Sequence, residues 1–201
     1  MPLVRYISHP NVVIDPDVPV PRWSLSEVGL GRARAMLVQP WVADIGRIVC
    51  SAETKAIQTA AVLAAHLRLE PEARPQTGET DRSATGYVPA ERHDELAARF
   101  FAEPYVSVHG WERAVDAQAR ILAAVSDLLV PAVSHSSDTA IVGHGGVGTL
   151  LFCRLAGFEI DATHDQPATP AGHQGGHYWT YDLDRGEVLH PWRAIDDIEP
   201  T

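Results

Sequence analysis

Asp138-Thr139-Ala140-Ile141-Val142-Gly143-His144-Gly145-Gly146-Val147-Gly148-Thr149-Leu150-Leu151-Phe152-Cys153 is the stretch on which the fold turns. Its first six residues make a short apolar run with the length of a buried strand, and from about Val147 to Ala156 the sequence reads as an apolar helix. Only His144-Gly145-Gly146 lies between them. A strand passing directly into a helix is the repeating unit of an α/β sheet, and ligands of such sheets bind beyond the carboxyl ends of the strands.

The same unit recurs on the N-terminal side. Leu3-Val4-Arg5-Tyr6-Ile7-Ser8-His9 is β-rich and stops at Pro10, which places His9 at a strand's end. Pro10, Pro16, Pro19 and Pro21, with Asp15 and Asp17 among them, make residues 10–23 a constrained loop. Ser24-Leu25-Ser26-Glu27 has the capping-box pattern, with Ser24 as the expected N-cap of a helix running to about Met36. A second strand, 45–50, breaks at Ser51 and leads to a helix over 53–67, where Ile57, Ala60, Ala61, Ala64 and Leu67 recur at helical spacing. Residues 68–88 read as loop with room for one short strand, and helices follow over about 91–102 and 112–129. At the end, β-rich runs around Asp184-Arg185-Gly186 form a hairpin over 177–190. The expectation is a three-layer α/β fold: a mostly parallel sheet, helices on both faces, and a C-terminal hairpin at the edge. It is read as a single domain over 1–201 with a loop and helix insertion at about 78–110.

Sixteen basic against twenty-six acidic side chains give a net charge of −10, which repels nucleic acid and the anionic face of a membrane. A local pocket can still hold a phosphate. Cys50 and Cys153 sit inside apolar runs and read as core residues. Without a signal-like opening, and with no apolar run of the ~18 residues needed to span a bilayer, a cytoplasmic location is expected.

Three strand ends therefore carry His9, Ser51 and His144, and the α/β rule turns all three toward one crevice. Here a resemblance becomes specific. Val142-Gly143-His144-Gly145-Gly146-Val147 resembles the second-histidine motif of the histidine phosphatase superfamily, whose members include the phosphoglycerate mutases. Ser51-Ala52-Glu53-Thr54-Lys55-Ala56-Ile57-Gln58-Thr59-Ala60 is similar to that family's Ser-x-x-x-Arg-Ala-x-Gln-Thr-Ala, with Lys55 where arginine is usual. Leu25-Ser26-Glu27-Val28-Gly29 and Gly110-Trp111-Glu112 resemble two further segments in the expected order. The family's Arg-His-Gly is replaced by Ser8-His9-Pro10. Matching Arg5 instead would put Tyr6 at the nucleophile position, and a phenol of pKa near 10 is a poor substitute for imidazole at neutral pH.

The resemblance implies a metal-independent phosphomonoester hydrolase, with no cofactor, acting on a small phosphorylated molecule. His9 would form a phosphohistidine, His144 would be its partner, and Glu79 would donate a proton to the leaving oxygen, with Asp81 as the local alternative. Ser8, Arg22, Ser51 and Lys55 are the phosphate-binding candidates; Arg22 is offered as a substitute for the missing arginine, and Arg5, about 13 Å before His9 along the strand, is too far away. A phosphatase is expected rather than a mutase, because no device for retaining the phosphoryl group is recognisable; a homodimer is compatible with the reading. One rival is a catalytically decayed anion- or partner-binding module of the same fold. Another is a dinucleotide site at Gly143-His144-Gly145-Gly146-Val147-Gly148, though too little chain follows to complete one. His164, His173 and His177 could suggest zinc, but Gly172, Gly175 and Gly176 argue against the helix that would align them, so no metal site is expected.

Overall fold

In a computed structural model, which describes residues 2–130, 137–167 and 175–197, the strand-to-helix units build one six-stranded sheet. The strands are β1 (Leu3–Ser8), β2 (Ile45–Ser51), β3 (Glu72–Arg74), β4 (Asp138–Gly143), β5 (His177–Asp182) and β6 (Glu187–Ala194). Their order across the sheet is β3-β2-β4-β1-β5-β6. β1, β2, β3 and β4 pair in parallel, whereas β5 runs antiparallel to β1 and β6 antiparallel to β5. The sheet is thus mixed, and the terminal hairpin supplies one whole edge. This order is not the 3-2-1-4-5-6 of the dinucleotide fold.

Among the described residues five α-helices flank the sheet: α1 (Glu27–Ala35), α2 (Thr54–Leu67), α3 (Ala90–Ala102), α4 (Ala114–Val125) and α5 (Gly145–Ala156). Strand side chains alternate between faces, which divides the core in two. Val4, Tyr6, Val49 and Ile141 pack with Leu96, Phe100, Trp111, Ile121 and Leu150 under α3, α4 and α5. Ile7, Ile48, Cys50, Ala140 and Val142 pack with Ala56, Ala60 and Leu63 of α2 and with Trp41 on the other face. Both cysteines are buried and unpaired.

Local corrections have local causes. The cap of α1 is Ser26, whose hydroxyl accepts the Gly29 N–H at 3.1 Å, rather than Ser24. Ser24 is instead engaged through its carbonyl, which accepts from Val13, in an antiparallel bridge between Val12 and Leu25 that folds the proline-rich loop back along the chain. The expected helix over 112–129 begins at Ala114 and ends at Val125, with a 3-10 turn over Ser126–Leu128. His173, one of the three histidines weighed for zinc, lies outside the described residues.

The passage from β4 into α5 is fixed by Tyr6. Its ring stacks on Trp179 at 5.2 Å and lies against Gly148, where any Cβ would collide with it. Its hydroxyl reaches past Gly143 and accepts the His144 N–H at 3.1 Å while donating to the His144 carbonyl at 3.0 Å. At the opposite end of the sheet Arg5 forms a buried ion pair with Asp138, which also accepts the Leu3 N–H at 2.8 Å. Arg5 therefore belongs to the structural end of β1, away from its carboxyl end.

Candidate active site

Strand register brings the candidate residues to one level. Ser8 of β1 is paired with Gly143 of β4, and Cys50 of β2 with Val142, so the chain leaves all three parallel strands together at His9, Ala52 and His144. The His9 backbone is clamped on two sides: its N–H donates to the Gly143 carbonyl at 2.9 Å, and its carbonyl accepts from Gly176, also at 2.9 Å. Its Nδ1 lies 2.9 Å from the Pro10 carbonyl, which can only accept, so Nδ1 carries the proton and Nε2 is left bare. Pro10 supplies this carbonyl as well as a glycine would. Burial, followed by the neighbouring His144 and Lys55, lowers the His9 pKa to about 3, so the ring is neutral near pH 7.

The imidazoles of His9 and His144 meet edge to face, with centroids 5.2 Å apart. His144 is wholly buried at the N-cap of α5, and burial pushes its pKa below the ordinary histidine value against the pull of Glu53 and Glu79. Nε2 lies 2.8 Å from Ser51 Oγ and 3.5 Å from Glu53 Oε1. Nδ1 is buried with no hydrogen-bond partner among the described residues, an uncommon and costly state for a polar atom in a folded interior.

Two carboxylates frame the histidines. Glu79 accepts the N–H groups of Thr80 at 2.9 Å, Gly146 at 3.1 Å and Val147 at 3.0 Å, and so covers the first turn of α5. Burial alone would raise its pKa, but His144, Arg82 and these N–H groups outweigh burial and hold the carboxyl down at about 2. Because His144 is itself neutral near pH 7, Arg82 and the backbone groups carry most of that hold there. Glu53 is the second carboxylate. One of its oxygens accepts the Glu79 N–H at 2.8 Å and the other pairs with Lys55. Burial opposes its ionisation, yet His144 and Lys55 keep its carboxyl below the ordinary value.

The remaining candidates divide clearly. Lys55 is 4% exposed and donates to the Val20 carbonyl at 3.0 Å as well as to Glu53, so its charge is present at the site but already shared. Ser51 faces His144. Ser8 is buried, and its hydroxyl turns to Gln166 at 2.5 Å and to the backbone of His177. Arg22 is exposed and makes no ion pair among the described residues; it closes the Val20–Arg22 turn, whose Val20 carbonyl accepts from Lys55. Asp81 is exposed, with its carboxylate accepting the Ser83 N–H at 2.9 Å.

Three residues that sequence reasoning passed over stand close to this cluster: Glu53, Arg82 and Gln166. Glu53 lay inside a quoted motif as an unspecified position. Arg82 is partly buried over the Trp111 ring at 5.4 Å, bonded to His93, with no carboxylate in ion-pair reach among the described residues. Its signal was a basic residue three positions after the candidate acid. Gln166 gave no signal, because a glutamine in a loop is unremarkable.

The arrangement thus combines a bare imidazole nitrogen, a second imidazole with Nδ1 unpartnered among the described residues, a lysine, and two ionised carboxylates, one of them at the start of α5. Together they can attack and hold an oxyanion and move a proton. Among the described residues no group of three or more His, Cys, Asp or Glu side chains is placed to hold a metal ion. A groove of about 730 Å³, walled by Phe152, Phe158, Val188 and Trp192, lies between α5 and the hairpin and contains neither His9 nor His144.

Known structures share this architecture. A mycobacterial glucosyl-3-phosphoglycerate phosphatase, solved with inorganic phosphate, is 19% identical, with a TM-score of 0.72 over 98% of this chain and 99% of that one. YhfR of Bacillus stearothermophilus is 18% identical, with a TM-score of 0.73 over 99% and 98%. Phosphoserine phosphatase from Entamoeba histolytica, in complex with 3-phosphoglyceric acid, is 14% identical, with a TM-score of 0.72 over 96% and 98%. A search of curated proteins returns no significant match. At these identities the structural likeness establishes the fold, and family membership rests on the sequence itself: the pattern of the histidine phosphatase superfamily (branch 1) matches residues 17–174, so the chain belongs to that superfamily.

Proposed function

We propose that the chain is a phosphomonoester hydrolase that works through a phosphohistidine on His9. The observation that carries the proposal is the fixed tautomer of His9, with Nδ1–H held by the Pro10 carbonyl and a neutral, bare Nε2 beside a second buried imidazole. A phosphoryl acceptor needs that lone pair at neutral pH, held in line with the leaving group. Nε2 attacks phosphorus as the bond to the leaving oxygen breaks, and that oxygen takes a proton. Water then attacks the phosphohistidine, the N–P bond breaks and returns its electron pair to Nε2, and the water's proton passes to a nearby carboxylate. Phosphate is released.

Glu79 is our proton carrier, acting as a relay. With its carboxyl held at about 2, it meets the substrate ionised. The proton must then arrive with the substrate, as the single P–OH of a phosphomonoester monoanion, and pass by way of the Glu79 carboxylate to the leaving oxygen as that oxygen becomes basic. We assign the substrate to the small phosphorylated molecules. A reading as a binding module without turnover draws on Ser8 in place of the usual arginine and on the engagement of Lys55 by Glu53.

The test is a panel of phosphomonoesters presented to the purified protein with chelator, followed by rapid quench with a labelled substrate. Wild type is expected to turn over at least one ester and to trap an acid-labile, base-stable phosphoenzyme that His9→Ala lacks. Absence of both turnover and label from wild type across the panel would replace the enzyme reading with the binding module.

A further inference from the structure

We propose that the side-chain amide of Gln166, held in place by Ser8, is a neutral ligand for the phosphoryl oxygens, filling the role left open where Ser8 stands in place of arginine. The inference rests on the phosphohydrolase reading and names one more residue of the same pocket.

Gln166 is anchored from several directions. Its neighbour Asp165 accepts both the Thr149 hydroxyl of α5 and the Gln166 N–H, each at 2.7 Å, which ties the segment to the helix that starts beside His144. Ser8, the residue before His9, accepts the His177 N–H at 2.9 Å and has one proton of its own to give. Two acceptors are within its reach, Gln166 Oε1 at 2.5 Å and the His177 carbonyl at 3.2 Å, and the proton goes to the nearer one. The separation suits O–H···O, for which about 2.5–3.0 Å is normal, and is shorter than the ~2.7–3.2 Å range of N–H···O, so the amide atom facing Ser8 is the oxygen. His177 Nδ1 approaches the same oxygen at 3.2 Å.

Orientation of the oxygen fixes the nitrogen. Nε2 points at Gly145, so closely that any Cβ there would collide with it, and it makes no hydrogen bond to a described residue. Gly145 directly follows His144 and Ser8 directly precedes His9. The two amide protons therefore lie between the chain segments that carry the two histidines. An amide gives two donors without a charge, whereas a guanidinium gives up to five with one. Such a site still directs a phosphoryl oxygen but attracts a dianion less.

The experiment measures equilibrium binding of inorganic phosphate and of orthovanadate to wild type, Gln166→Glu and Gln166→Met, with thermal melts to show that each is folded. Gln166→Glu keeps an acceptor for Ser8 and turns a carboxylate oxygen toward the pocket; it is expected to weaken phosphate binding by at least about tenfold. Gln166→Met keeps the length without donors and is expected to raise KM for a phosphomonoester several-fold with a smaller effect on kcat. If either variant does not fold, Gln166→Asn, one methylene shorter, withdraws the amide and is expected to weaken binding likewise. Wild-type phosphate binding that persists unchanged in folded Gln166→Met or Gln166→Asn overturns this inference and leaves the phosphohydrolase reading standing. Failure of wild type to bind phosphate or vanadate overturns both.

Discussion

Replacing Glu79 by glutamine tests the carboxylate that closes α5. The wild-type carboxyl sits at about 2 against an ordinary value of 4.5. A shift of that size corresponds to about 3 kcal/mol in favour of the folded state at neutral pH. Part of it is owed to His144 in its charged form, which is absent near pH 7, so about 2 kcal/mol is the better expectation. Loss of charge-assisted bonds to backbone N–H groups, worth about 1.5–3 kcal/mol each before the retained amide oxygen is credited, gives a similar figure. In a domain of this size that is about 4–8 °C in melting temperature. Because the folded-state pKa is depressed, the stabilisation is complete above about pH 4.5 and is lost as pH falls toward 2. Urea midpoints of wild type and Glu79→Gln between pH 8 and 3.5 should therefore show a gap that is constant down to about pH 5 and narrows below. A gap absent at pH 7, or one that ignores pH, would refute the argument.

Four other outcomes follow from the same geometry. If the substrate brings the proton, kcat/KM should form a bell, rising as His9 loses its proton near 3 and falling as the substrate's second ionisation is passed near pH 6; a profile flat to pH 8 removes that role. Tyr6→Phe strips a buried hydroxyl from the His144 backbone and should lower stability by about 1–3 kcal/mol while the phosphoenzyme still forms, read by melting and by rapid quench. Asp138→Ala leaves Arg5 buried and uncompensated and should cost about 3–5 kcal/mol in denaturant unfolding without a change in KM. Glu53→Gln should lower the melting temperature by loosening Lys55 yet tighten phosphate binding, since a negative charge leaves the pocket; a fall in both would make Glu53 a support for the anion instead.

The sequence disclosed the sheet through its junctions. Strands followed at once by His144 or Ser51, and a strand stopped by Pro10, could be placed because a buried strand and a proline each leave an unambiguous local mark. Level alignment of His9 and His144 then needed only the α/β rule. What stayed hidden depends on side chains far apart in the chain. The capping oxygen of α1 passed from Ser24 to Ser26 because the proline-rich loop pairs Val12 with Leu25 and draws Ser24 into backbone bonding. Glu79 was legible as an acid but not as a cap for α5, which lies more than sixty residues later. The contact of the Val20–Arg22 turn with Lys55 was not legible either, because nothing in a loop sequence says what its backbone will meet.

On the proposed phosphohydrolase reading, the charges in the pocket would decide which phosphate it prefers. Lys55 brings one positive charge and Glu53 cancels it; Arg82 brings another, opposite the ionised Glu79, and both histidines are kept neutral by burial. A phosphate dianion entering that field gains little net Coulomb attraction and must be held mainly by donors: the Ser51 region, the orphaned His144 nitrogen and the Gln166 amide. At an effective dielectric of about 20, one unit charge at 4 Å is worth about 4 kcal/mol, so losing a guanidinium outweighs gaining two neutral hydrogen bonds at about 1 kcal/mol each. A monoanion forfeits half of that Coulomb energy and brings the proton the leaving group needs. On that reading, exchange of Arg-His-Gly for Ser8-His9-Pro10 would change the preferred protonation state of the substrate while leaving the tautomer of the proposed nucleophile untouched, since Pro10 holds His9 Nδ1 through a backbone carbonyl that any residue would offer.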